Sequence, residues 1–111
     1  MAVATPPQWR LPDGHRTADR RSLAMHRLIA ERLDQPMLTR AQERVEQWLG
    51  DGGPVDRRWA TQWRELLHGT PAEVAVRIAA DTSQLTQLRQ VTPFAGALTP
   101  RERWAILRDV W

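Results

Sequence analysis

Residues 70–104 read TPAEVAVRIAADTSQLTQLRQVTPFAGALTPRERW, and this stretch decides the fold class. It opens and nearly closes on the same punctuation. Thr70-Pro71-Ala72-Glu73 and Thr99-Pro100-Arg101-Glu102 each place a hydroxyl before a helix, a proline at its first position and a glutamate at its third. The hydroxyl accepts a free backbone N–H, the carboxylate reaches back to the capping residue's own N–H, and proline has no N–H to lose. The two signals predict helices from Thr70 to about Ala80 and from Thr99 to Trp111. Between them, Leu85 and Leu88 predict a shorter helix over Ser83–Val91. The link that follows carries Pro93, Phe94 and Gly96. Phe94 is the only phenylalanine and is expected to plug the core. Gly96 allows a backbone conformation that other residues resist.

Working upstream, the same three- and four-residue periodicity recurs. Met25, Leu28, Ile29 and Leu33 mark a helix over about Thr17–Leu33, and Pro36 marks a break. A second helix is expected after Thr39, with Thr39 and Gln42 as a capping box. Its stripe is Ala41, Val45, Trp48 and Leu49, and Gly50 is the expected left-handed exit. Gly50 to Pro54 is a candidate hinge. A third helix, about Asp56 to Leu67, carries Trp59, Trp63, Leu66 and Leu67, with His68 in its last turn and Gly69 ending it. No run alternates as a strand would. The expectation is an all-α fold: a compact bundle of about five to six short helices forming one domain, 17–111. Residues 1–16, with Pro6, Pro7, Pro12 and Gly14, read as a proline-rich N-terminal arm.

Composition narrows the chemistry. The chain has 111 residues, enough for one core. All sixteen basic residues are Arg, set against 13 acids for a formal charge of +3. The sequence pI near 11.2 overstates basicity, because no Lys or Tyr titrates before Arg. Cysteine is absent, which excludes disulfides, thiol nucleophiles and zinc–thiolate sites. Without lysine there is no Schiff base and no phosphate-loop lysine. Ser22 and Ser83 stand in no nucleophile elbow. His15, His26 and His68 show no metal-ligand spacing, and His26 reads as a surface or groove residue. Glu43 and Glu46 are better matched to Arg40 and Arg44 than to acid–base work. The reading is a non-enzymatic protein with no cofactor and no metal. No stretch reaches about 18 apolar residues and no leader opens the chain, so a cytoplasmic protein without a membrane role is expected.

Residues 70–90 also have the outline of a helix-turn-helix, with Ala75 and Ile78 inward and Ala79 to Thr82 as the turn. On that reading Arg77, Gln84, Thr86, Gln87 and Arg89 face outward toward DNA, with Arg101 and Arg103 contributing, since Gln and Arg suit base edges. The competing reading is an ordinary helical hairpin with the same spacing.

Leu88-Arg89-Gln90, Pro93-Phe94-Ala95-Gly96, Leu98 and Arg103-Trp104 together resemble a family of small bacterial helical proteins with the C-terminal pattern LRQxxPFAGxLxxxxRW. The likeness extends over about residues 22–110. It implies an antitoxin-like or regulatory role, in which the chain binds and neutralises a protein partner, such as a toxin.

Six tryptophans complete the picture. Trp48, Trp59, Trp63 and Trp104 fall on stripes read as inward. Trp9 and Trp111 lie near the termini. The partner-binding residues expected are Trp9, Arg101, Arg103, Trp104 and Trp111, because Arg and Trp are the side chains enriched at binding hot spots. Self-assembly into a homo-oligomer is a further reading.

Overall fold

A computed structural model describes residues 13–50 and 53–109. Among them are six α-helices and no strand: α1 (Asp13–Arg32), α2 (Gln35–Gly50), α3 (Arg57–Leu66), α4 (Pro71–Ile78), α5 (Ser83–Leu88) and α6 (Pro100–Asp109). A 3-10 turn, Arg89–Val91, continues α5. The all-α bundle expected from periodicity is the fold observed. No helix among the described residues is long and apolar enough to cross a membrane.

Local chemistry explains most boundaries. Asp56 caps α3, its side chain accepting from the Arg58 N–H at 2.8 Å. Gly69, with φ +116°, turns the chain after it. Thr70 and Glu73 form a reciprocal box: the Thr70 N–H donates to Glu73 Oε1 at 2.8 Å and the Glu73 N–H donates to Thr70 Oγ1 at 3.2 Å. The bond from the Thr70 N–H holds the Glu73 carboxyl below its usual range. Thr82 caps α5 through the Leu85 N–H.

Three boundaries differ from the sequence reading. The first helix begins at Asp13 rather than at about Thr17, because one glycine, Gly14, costs only about 1 kcal/mol in a long helix. Pro36 does not separate two helices. It sits in the first turn of α2, where a missing N–H costs nothing, and Asp34 Oδ1 accepts the Met37 N–H at 2.9 Å. Thr39 and Gln42 therefore do not form a capping box at the start of α2. Thr39 Oγ1 accepts from Gln35, and the Gln42 amide donates to Leu67 O at 2.8 Å, satisfying a carbonyl at the end of α3. Gly50 stays helical; among the described residues only Gly69 and Gly96 have positive φ. The candidate hinge centres on residues 51–52, which lie outside the described residues, as do 1–12 of the expected arm.

The core threads all but the last helix. Leu38, Ala41, Val45 and Leu49 of α2 pack with Ala60 and Trp63 of α3, Val74 and Ile78 of α4, and Leu85 and Leu88 of α5. Ile29, Leu67, Phe94 and Leu98 complete it. α2 lies on α3, and α1 lies across α4, α5 and α6. At the centre, Trp63 stacks on His26 (ring centroids 6.2 Å apart, planes 25° apart) and meets Phe94 edge-on at 6.1 Å. The Trp63 indole N–H donates to Leu88 O at 3.0 Å, so the polar atom of this large ring is satisfied inside the core.

Candidate partner-binding face

α6 is built by one glutamate. The Thr99 N–H donates to Glu102 Oε1 at 2.8 Å and the Glu102 N–H donates to Thr99 Oγ1 at 3.2 Å. The second oxygen, Oε2, pairs with Arg32 at the end of α1. A single carboxylate thus starts the helix and ties it to α1. Successive residues turn by about 100° around a helix, so Ile106 follows Glu102 onto the α1 side and reaches the core edge. No residue of α6 is fully buried.

That rotation corrects the reading of Trp104 as inward-facing. Two positions from both Glu102 and Ile106, it points away from α1 and is 67% exposed. Arg101, Trp104 and Arg108 stand at three- and four-residue steps and form one outward row. Exposed Arg103 and half-buried Leu107 form the next row. Arg101, Arg103 and Trp104 are brought together here, while Trp9 and Trp111 lie outside the described residues.

Five other arginines are occupied by backbone carbonyls, and these partners explain why the chain needs guanidinium groups. Helix ends leave carbonyls without intrahelical partners. Arg57 donates to Leu49 O at 3.2 Å, at the end of α2. Arg77 donates to Leu66 O at 3.3 Å and to His68 O, at the end of α3. Arg27 and Arg89 donate to the consecutive carbonyls of Ala79 and Ala80 after α4, at 3.3 and 3.0 Å. Arg44 bridges Pro93 O and Ala95 O in the turn before α6, at 3.3 and 2.9 Å. A guanidinium stays charged and carries several N–H donors, and one terminal nitrogen of Arg44, like one of Arg77, serves two carbonyls at once. Arg64 forms a two-pronged pair with exposed Glu46 and lowers the pKa of that carboxyl. Arg101, Arg103 and Arg108 make no hydrogen bond or ion pair among the described residues. Three cations without a partner among the described residues therefore stand beside one exposed indole on a single helix.

The residues considered for DNA do not gather in the same way. Gln84 and Gln87 are exposed, and the Gln84 amide donates to Gln62 Oε1 at 3.0 Å. Thr86 is half-buried, with its hydroxyl donating to Thr82 O. Arg89 does not face outward. It is 4% exposed, because its guanidinium serves Ala80 O inside the fold. Its Nε has no hydrogen-bond partner, and desolvation lowers its pKa. α4 packs mainly on α1, and α5 on α1 and α3, so the seam between α4 and α5 is minor.

His26, read from the sequence as a surface or groove residue, is 3% exposed. Its Nδ1–H donates to Ser22 O at 2.7 Å, which leaves Nε2 to accept from the Thr92 hydroxyl at 2.9 Å. The same hydroxyl accepts the Phe94 N–H at 3.1 Å. This relay fixes the link before α6 against α1. Burial pushes the imidazole pKa down to about 4, with nearby Arg89 adding to the effect. Periodicity carried a signal for this: His26 lies one turn before the core residue Ile29, on the same side of α1. Among the described residues no group of three or more His, Asp or Glu is placed to hold a metal ion.

The geometry defines a small helical bundle with one helix carried on its surface, basic and aromatic on its outer side. Comparison with family models, with curated proteins and with solved structures finds no match to this chain.

Proposed function

We propose that this chain is a non-enzymatic interaction protein that binds an acidic protein partner through the outer face of α6. The observation that carries the reading is Trp104, 67% exposed among Arg101, Arg103 and Arg108, none of which is paired within the described residues. An exposed indole favours burial against a partner, and unpaired guanidinium groups favour carboxylates placed around it. The resemblance of the C-terminal pattern extends the proposal. The partner is then a toxin-type protein that this chain holds inactive, in the manner of an antitoxin.

The test is co-expression with the product of the adjacent gene. Growth inhibition by that product alone, relieved by this chain and restored by Trp104→Ala or by Arg101→Glu with Arg108→Glu, is the expected result. Failure of the native chain to co-purify with the neighbour or to relieve inhibition contradicts the antitoxin reading. Protein binding outranks DNA binding here because Arg89 is spent on Ala80 O, and because five of the arginines serve backbone carbonyls instead of a common basic surface.

A further inference from the structure

Between α1 and α6, on the side of α6 opposite Trp104, lies an open groove of about 660 Å³. Its α1 wall is made by Arg20, Leu23, Ala24, Arg27, Leu28 and Glu31, and Ile106 and Asp109 of α6 stand opposite. These α1 positions step by three, one, three, one and three residues, so they form a single stripe about 16 Å long. Leu23 and Ala24 are only half-covered and take no part in the packed core. Arg20 and Glu31, at the two ends, are exposed and make no hydrogen bond or ion pair among the described residues.

We propose that this stripe is a self-association surface, on which two copies of the chain pack α1 against α1, antiparallel about a two-fold axis. The spacing of the stripe is the same from either end, with opposite charges at the two ends. With the axis between Met25 and His26, Arg20 of each copy meets Glu31 of the other. Leu23 meets Leu28, and Ala24 lies beside the Arg27 stem. A two-fold interface repeats every contact, so one oppositely charged pair and one leucine pair become two of each. Ala24, the smallest side chain of the stripe, lies near the axis and lets the helices approach closely. Arg27 is already turned aside by its bond to Ala79 O, which leaves its aliphatic stem for packing.

The charge arrangement selects a second copy as occupant. A uniformly acidic partner would set its charge against Glu31, and a uniformly basic one would set its charge against Arg20. A copy of the same stripe, reversed, satisfies both ends. The Trp104 face remains open in such a dimer.

Sedimentation of the full chain tests this with charge exchange at two exposed positions. The native chain should be dimeric. Arg20→Glu and Glu31→Arg, each alone, should weaken dimerisation by about tenfold or more, since each turns two attractive contacts into two repulsive ones. Mixing the two single variants should restore the dimer as a mixed species, and the double exchange in one chain should restore it as well. A monomeric native chain would overturn the proposal. So would a dimer whose affinity is unchanged by the single exchanges, or a dimer that forms only after residues 1–12 are removed.

Discussion

α4 and α6 start with the same chemistry and end in opposite places. Each has a threonine cap, a proline at the first position and a glutamate returning a hydrogen bond to the cap. α4 then buries Val74 and Ile78 completely, whereas α6 buries no residue. Capping determines where a helix begins, and the spacing of apolar residues determines what it covers. In α4 the two buried aliphatic residues are four apart, on one face, and Val76 between them is turned out and 75% exposed. In α6 the largest apolar residue, Trp104, stands about 160° around the helix from Ile106, so only one of them can face the bundle.

Substitutions in the two helices should therefore differ in their cost. Ile78→Ala should cost about 2–5 kcal/mol of unfolding free energy, through lost burial and the cavity left behind. Ile106→Ala should cost about 1 kcal/mol, because that side chain is only half-buried at the core edge. Denaturant unfolding of the two variants gives both numbers. Equal losses would place α6 in the core.

The link between the two helices is sensitive to acid. His26 has a native pKa of about 4 against an ordinary 6.5, so the unfolded chain takes up a proton that the folded chain refuses. The stabilisation is fully present above about pH 6.5 and is lost as pH falls to about 4, by about 3 kcal/mol. Unfolding free energy followed from pH 7 to 4 measures it. A His26→Asn variant should lose this slope, though it is less stable at pH 7. Glu46 and Glu73, whose pKa values are lowered, add their own losses only within and below the usual carboxylate range.

Removing the caps separates the helices again. Thr70→Ala should lower global stability by about 1 kcal/mol, because α4 is packed on α1 and its fraying opens the core. Thr99→Ala should mainly speed amide exchange in the first turn of α6, with a smaller change in the unfolding midpoint. The smallest effect on stability is expected from Trp104→Ala, within about 0.5 kcal/mol, as for an exposed position without structural contacts. The same substitution should abolish capture of the acidic partner. A large destabilisation would mean that the indole packs against its own fold.

The sequence showed the starts of α3 to α6 well, those of α1 and α2 four or more residues late, and burial less well. Thr70, Glu73, Thr99 and Glu102 were legible because capping is local. Pro36 was misread as a break because proline is equally at home in a first turn, and only the Asp34 side chain distinguishes the two. Trp104 was read as inward from its own stripe, since nothing in the sequence reveals that Glu102 reaches Arg32 and fixes the helix rotation. Arg89 and His26 were misplaced for a related reason. Their partners, Ala80 O and the Thr92 hydroxyl, lie 9 and 66 residues away. A polar side chain reads as exposed until such a partner is known. The absence of lysine has a structural counterpart: five arginines donate to backbone carbonyls at helix ends or in the link before α6.

The measurement that most directly tests the account is native-state amide hydrogen exchange of α4 and α6 in the isolated protein. The account predicts that the inner amides of α4 exchange only through global unfolding, while those of α6 exchange through a local opening of lower free energy. Equal protection of the two helices, at the global value, would contradict it.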